Sequence, residues 1–522
     1  LDLFGTFQYR LQHLKETGET VQMTDVDTLW KQRTHSTDLG KNISYFGQFG
    51  FNYEINKNHS FGATYELTSA PRDKMSNDNR TEVYADHELY DVWNTNAFSI
   101  EKTYPTHHSN FYYHGDINSL EIDLNADVLV GKNKEEENIK ELSLNYDDLS
   151  MTTFSETSNK LYAGKLVLAY PLFKGRISGG SEYSYIHRIS DFSGFGNQIL
   201  GTSDKIRERN LAFFLNCTWS LGGIDASAGL RYEDVKSDFY ENSIYQSDES
   251  KHYRNLFPSL SLKGSVGKVH WGLGYHIQVA RPYYEQLKNE IHYGNRFTYL
   301  GGTPNLQPTY IHTAEMRAAY RDLQLSVGYN RYNDDILFSI EQATSDPKIT
   351  LIKFRNVEHR DEMTASLVYS PGIGCWRPEW VASVQSQWFN IGYLDGTKNM
   401  NGITVGIRWN NSFQLPMGYI FRLNGTYTGK GVYQNSFTRP VSCFGVSIYK
   451  SFFNGRLDCT VEGNDLFHTV RDATTQYDNK VKIYRETQRN TQEVKLTVHY
   501  KFNLQKSKYK GTGAGLDEQQ RL

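Results

Sequence analysis

Three histidines stand close together at His107, His108 and His114. Imidazole is a common transition-metal ligand, so this group could hold a metal or capture haem. The plainer reading is solvated histidines in a surface loop, and no metal site or cofactor is assigned. Glu135-Glu136-Glu137 and Asp147-Asp148 could hold a calcium ion with other loops, but read as solvated loop tips. There is no Gly-x-Ser-x-Gly elbow and no glycine-rich phosphate loop leading from a strand into a helix. Arg231 and Glu233 are an acid–base pair two residues apart. By strand alternation they share a face, and they read as part of a polar network. No catalytic residue is expected, and the chain is not read as an enzyme.

Cys217, Cys375, Cys443 and Cys459 have no metal-type spacing. Cys217 aligns with Leu211, Phe213, Leu215 and Trp219, and Cys459 with Leu457 and Val461, both apolar faces. Cys443 lies opposite Phe444, Val446 and Ile448 and so points to the other face. Residues on opposite sides of a sheet cannot be bridged, so no disulfide is expected.

The elements that position these residues alternate from end to end. Ile224, Ala226, Ala228, Leu230 and Tyr232 share one face, with Asp225, Ser227, Gly229, Arg231 and Glu233 on the other. Val269 to Gln278 repeats the pattern, as do Val494, Leu496, Val498, Tyr500 and Phe502 against Lys495, Thr497, His499 and Lys501. This is the period of a β-strand. Many runs reach ten residues or more, longer than the strands of a sandwich and enough to cross a bilayer when tilted.

The chain has 522 residues, 14% of them aromatic, with 42 Gly and only 12 Pro. Such a composition reads as all-β. Mean hydropathy is −0.62, and no run of about 18 apolar residues exists, which excludes helical spans. A transmembrane barrel remains open, because alternation dilutes hydropathy. With 56 Lys+Arg against 59 Asp+Glu, the net charge of −3 argues against a nucleic-acid partner.

Tight turns are expected at 56–58, 117–119, 173–175, 221–223, 267–268, 321–322, 371–378, 416–418 and 453–455. Longer polar segments, 15–42, 71–106, 132–159, 191–205, 240–251, 282–308 and 471–489, are expected to be loops. Short turns at one end and long loops at the other are the outer-membrane barrel pattern. Nine turns, an opening strand and a closing strand give about twenty strands of a large antiparallel up-and-down transmembrane β-barrel. Leu230, Tyr232, Trp271, Leu273, Val498 and Phe502 should face lipid. Arg231, Glu233, His276, Glu315, Arg317 and Lys495 should face the lumen.

Several segments then resemble one family, the outer membrane β-barrel proteins related to TonB-dependent receptors. Gly229-Leu230-Arg231-Tyr232-Glu233 and Leu256-Phe257-Pro258-Ser259-Leu260 resemble successive strands of that family. Arg281-Pro282-Tyr283-Tyr284-Glu285-Gln286-Leu287 is similar to its Arg-Pro-x-Tyr-x-x-Leu segment. Gly302-Thr303-Pro304-Asn305-Leu306-Gln307-Pro308 is similar to its Gly-Asn-Pro-Asn-Leu-x-Pro loop, with Thr303 in place of Asn. Asn464-Asp465-Leu466-Phe467 and Tyr500-Lys501-Phe502 resemble its closing hairpin.

The resemblance implies a Gram-negative outer-membrane location, outer-membrane lipid as surroundings, and 22 strands around a plug. Leu1 to Phe7 resembles the third strand of such barrels. The implied organisation is a barrel over 1–503, lacking one hairpin and the plug upstream, and a polar periplasmic tail over 504–522. It further implies energised nutrient uptake through a TonB-type system, with a possible surface lipoprotein as partner. A structural or ligand-binding barrel without transport is the alternative. A membrane-embedded hydrolase lacks any nucleophile–base constellation. Ligand contact is expected at the loop carrying Arg281, Tyr283, Tyr284, Tyr299 and Asn305, whose aromatics could stack on a sugar or simply pack.

Overall fold

Alternation over long runs yields one sheet. The computed structural model describes residues 1–196, 201–501 and 509–522. Its main sheet has 26 strands. Six of them are short hairpin strands at the loop end: Ile291–Asn295 with Thr298–Gly301, Gly431–Tyr433 with Ser436–Thr438, and Asp472–Asp478 with Val481–Arg489. The other twenty form the wall, each antiparallel to the next, from Asp2–Asp25 to Glu493–Tyr500. The wall therefore matches the expected count, and the hairpins are additions the alternation did not reveal.

The faces fall as expected. Leu230 pairs with Leu215 and Pro258, and Leu273 with Leu262 and Met316. Leu230, Leu273, Val498 and their apolar neighbours are exposed on the outer surface, a continuous band that only a membrane covers in a stable way. Tyr232 and Trp271 share that face. Glu233 is buried on the opposite, inner face, where Arg231 bonds to it. Lys495 pairs with Glu462, and Glu315 with Gly274, on the same inner side. Phe502 lies outside the described residues. Cys443 sits opposite Thr426, and Cys459 opposite Lys450, on alternate faces of adjacent strands; both are free thiols.

All nine tight turns occur where predicted; left-handed residues mark eight of them, Asn118, Phe173, Gly222 with Gly223, Gly267, Arg321, Gly374, Met417 and Asn454, and at 56–58 Asn56 Oδ1 instead accepts from the N–H groups of Asn58 and His59. The polar segments at the other end are different from expectation. Residues 15–42 are not a loop: Lys15 pairs with Leu39 and the ladder runs on to Asp25 with Leu29. The segments 71–106, 132–159 and 240–251 likewise continue as strands, turning at Asp86-His87, at 143–148 and at Asn242-Ser243. Both central residues of the first and last of these turns have positive φ, the hairpin geometry. The physical reason is that above the bilayer both faces meet polar surroundings, so a strand there carries no apolar alternation.

The cylinder closes unevenly. At the loop end, Glu16–Thr24 pairs with Val481–Arg489, and the zipper finishes where the Asn490 N–H donates to the Lys15 carbonyl. Beyond it the closing chain swings to Leu457–Asn464. From Leu3 to Leu14 the first strand has a ladder on one edge alone among the described residues, and so does the last strand from Val494 to His499. Val494, Phe7 and Leu496, on the two seam strands, are correspondingly among the most exposed of the outer band, at 81%, 73% and 67%.

The described part of the tail, residues 509–522, lies against the inner face of the wall. Its main-chain N–H groups and one arginine find acceptors there, described below.

Candidate functional site

The inner face is built from side chains at every second wall position. On Thr202–Leu221 these include Ile206, Glu208, Asn210 and Ala212, and on Ile224–Glu241 Arg231, Glu233, Val235 and Phe239. The loop 281–308 folds over them. Arg281-Pro282 ends the preceding strand, and Tyr284–Leu287 forms one short 3-10 turn. The Tyr283 N–H donates to Gln286 Oε1 at 2.9 Å and the Gln286 N–H to the Tyr283 carbonyl at 3.0 Å, fixing that turn. Tyr284, Leu287 and Leu306 then bury against Leu161, Ile186, Ile206 and Phe239.

Charge locks the loop down. The Tyr284 hydroxyl donates to Glu208 Oε1 at 2.9 Å; burial and the neighbouring carboxylate push the phenol well above its ordinary pKa, with Arg521 opposing. Arg281 bonds to Glu233, which also accepts from Arg231 Nε at 2.6 Å, while Arg231 reaches Glu182 at 3.2 Å. Glu290 accepts from Ser190 Oγ at 2.7 Å and pairs with Lys288 and His292. Burial opposes its ionisation, but these partners hold its pKa below the usual carboxylate value.

Further along, the Tyr293 hydroxyl donates to Glu141 Oε1 at 3.0 Å, and Arg296 pairs with the same carboxylate at 2.6 Å. Phe297 packs edge-on against Trp93 and Trp30. Burial, followed by Glu141, raises the pKa of Tyr293 and Tyr299.

The five residues expected to contact ligand thus divide. Arg281 and Tyr284 are buried and committed to the wall, and Tyr299 packs on Tyr293 with ring centroids 5.6 Å apart. Tyr283 and Asn305 are the two that remain exposed. Sequence reasoning missed Glu208, Glu141 and Glu182, although each is a carboxylate at an inward position of an alternating strand. Replacing Tyr284 with Phe is expected to lower stability by about 1.5–3 kcal/mol, the value of a hydrogen bond to a charged group. Urea-unfolding midpoints in lipid vesicles measure this.

The histidines do not gather. His107 bonds to the Tyr65 hydroxyl at 2.6 Å, while His108 stands between Glu66 and Asp127 on the other face. His114 is six residues further, roughly 20 Å along the strand. It pairs with Asp123 at 2.6 Å, and the nearby Glu121 is taken by Arg176. Glu135, Glu136 and Glu137 lie within a strand rather than at a loop tip, with Glu135 opposite Glu101 and Ser155. Asp147 and Asp148 are in a loop, as expected.

A family model described as "Outer membrane protein beta-barrel family" matches residues 116–500. No curated protein matches. Among solved structures, the copper transporter OprC superposes with a TM-score of 0.54 at 10% identity, covering 92% of this chain and 80% of that one. The FrpB iron transporter from Neisseria meningitidis superposes with a TM-score of 0.50 at 10% identity, covering 91% of this chain and 81% of that one. At such identities the likeness is one of fold.

Proposed function

The chain belongs to the outer membrane protein beta-barrel family, and from that premise we propose that it forms the wall of an energised nutrient importer. It is an outer-membrane β-barrel whose fold is like that of the solved transporters named above. The observation carrying the transport reading is the size and polarity of the interior. A wall of twenty strands encloses far more space than its own side chains fill, and Arg231, Glu233, Glu182, Glu208, Asp127 and His108 line it. A cylinder this wide would leak, so a plug domain of the same protein fills the space that the loop 281–308 and residues 509–522 leave open, and a TonB-type system moves that plug. The fold neighbours named above carry copper and iron; a scarce nutrient of that rank is the cargo class, received at the loop end.

The open seam supports the same organisation. The first strand runs towards the loop end and the last runs away from it, so the two are already antiparallel. An inserted piece must contribute an even number of strands to keep every neighbour antiparallel. One hairpin from upstream, giving 22 strands, meets that requirement and would satisfy the edges left with one ladder from Leu3 to Leu14 and from Val494 to His499 among the described residues, which lipid cannot.

The test is uptake in cells. Deleting the upstream plug and coupling segment from the full gene is expected to abolish accumulation of the cognate nutrient. Uptake that persists without energy coupling would favour a passive or structural barrel.

A further inference from the structure

Residues 509–522 cross the inner wall over successive strands. The Tyr509 ring packs edge-on against Tyr112, and its hydroxyl bonds to Asn110. The N–H groups of Thr512 and Gly513 both donate to Asn125 Oδ1, at 2.9 and 3.2 Å. The Ala514 N–H donates to Asp127 Oδ2 at 2.7 Å and the Gly515 N–H to Glu182 Oε1 at 3.0 Å. Ala514 is fully buried in the apolar cluster under the loop. The short helix Leu516–Arg521 follows, and Asn210 Nδ2 donates to Glu518 at 3.0 Å. Arg521 ends the run. Its guanidinium reaches both Glu208 oxygens, at 2.5 and 3.3 Å, and donates through Nε to the Pro282 carbonyl at 2.9 Å. It also lies 4.3 Å over the Tyr284 ring.

The acceptors are held in place by the wall itself. Asp127 is fixed by His108 at 2.8 Å and Asn110 at 2.7 Å, Glu182 by Arg231, and Glu208 by the Tyr284 hydroxyl. Such a surface does not have to reorganise when its occupant arrives, and pre-organisation is what favours affinity. Four consecutive main-chain donors are recognised without regard to side chain. Small residues are required in the middle: Gly513 and Gly515 have φ of +77° and +62°, and a Cβ on Gly515 would sit 2.7 Å from the Ala163 Cβ. The position of Arg521 is read by charge and shape, because a carboxylate enclosed by Tyr284 and apolar wall residues takes a planar guanidinium in preference to any neutral group.

We propose that the inner wall carries a peptide-binding site, occupied in cis by residues 509–522, whose ligand class is a short glycine-containing peptide bearing an arginine. The site runs from Asn125 to Glu208 and holds such peptides in trans once the tail is removed. This stands independently of whether the barrel is energised.

Two measurements test it. In the first, a chain ending at Leu522 is exposed in detergent to a carboxypeptidase. Wild type is expected to keep Arg521 and Leu522, and Glu208→Gln to lose them at least tenfold faster; equal rates would overturn the proposal. In the second, the chain ending at residue 508 is titrated with a fluorescent peptide corresponding to residues 509–522. Saturable binding is expected, weakened at least tenfold by Arg521→Ala or Gly515→Val in the peptide and less by Arg521→Lys. A folded truncated barrel that does not bind the peptide, or binds the Arg521→Ala peptide equally, refutes it. Should truncation prevent folding, the protease measurement on the chain ending at Leu522 decides alone.

Discussion

Replacing Arg360 with methionine is expected to destabilise the barrel by about 3–5 kcal/mol, the cost of removing one member of a buried ionic group. Arg360 lies on Thr350–Tyr369 and is 2% exposed. Its Nε donates to Asp335 Oδ2 at 2.6 Å and its Nη1 to Glu362 Oε2 at 3.0 Å, with the guanidinium 4.0 Å over the Tyr332 ring. Without it two buried carboxylates face each other, and Gln385, which donates to Glu362 at 2.9 Å, cannot neutralise either. The triple replacement Arg360→Met, Asp335→Leu and Glu362→Leu should recover most of the loss, since no charge is then left unpaired. Urea unfolding in vesicles, followed by tryptophan fluorescence, measures both. A single variant within 1 kcal/mol of wild type would mean that water reaches the group and screens it.

What the sequence disclosed follows from where water is. In the bilayer belt one face meets lipid and the other the lumen, so Leu230 and Arg231, or Leu273 and Gly274, alternate cleanly and the twenty wall strands can be counted. Above the belt, Thr17, Glu19 and Val21 pair with Thr37, His35 and Arg33; polarity on both faces erases the signal, and these strands read as loop. Arg281 and Tyr284 stood out as motif residues, yet their partners Glu233 and Glu208 are about 50 to 80 positions away, so their burial was not legible. The tail was hidden more thoroughly. Its contacts to Asn125, Asp127 and Glu182 come from main-chain donors, which leave no side-chain pattern, and those acceptors lie more than 300 positions upstream. A glycine-containing polar stretch looks alike whether water or a wall accepts its N–H groups.

The belt itself can be probed by charge. Leu230→Arg is expected to lower stability by roughly 2–4 kcal/mol, the depth-dependent penalty for a guanidinium at the bilayer midplane. Leu230 sits six residues above the start of Ile224–Glu241, and a strand tilted by about 45° rises roughly 14 Å over that length, near the middle of the hydrocarbon core. Its ladder neighbours Leu215 and Pro258 offer no acceptor. The control is Ser259→Arg, one step round on the adjacent strand, where Ser259 pairs with Gly229 and His276 on the inner face. A long cation there projects into a polar lumen already holding Glu233 and Glu182, so its effect should stay within about 1 kcal/mol. Folding yield into vesicles, read by heat-modifiable gel mobility, separates the two. Equal losses at both positions would show that the band around Leu230 does not face lipid, and a greater loss at Ser259 would reverse the assignment of faces for the whole wall, because alternation ties every strand to its neighbour.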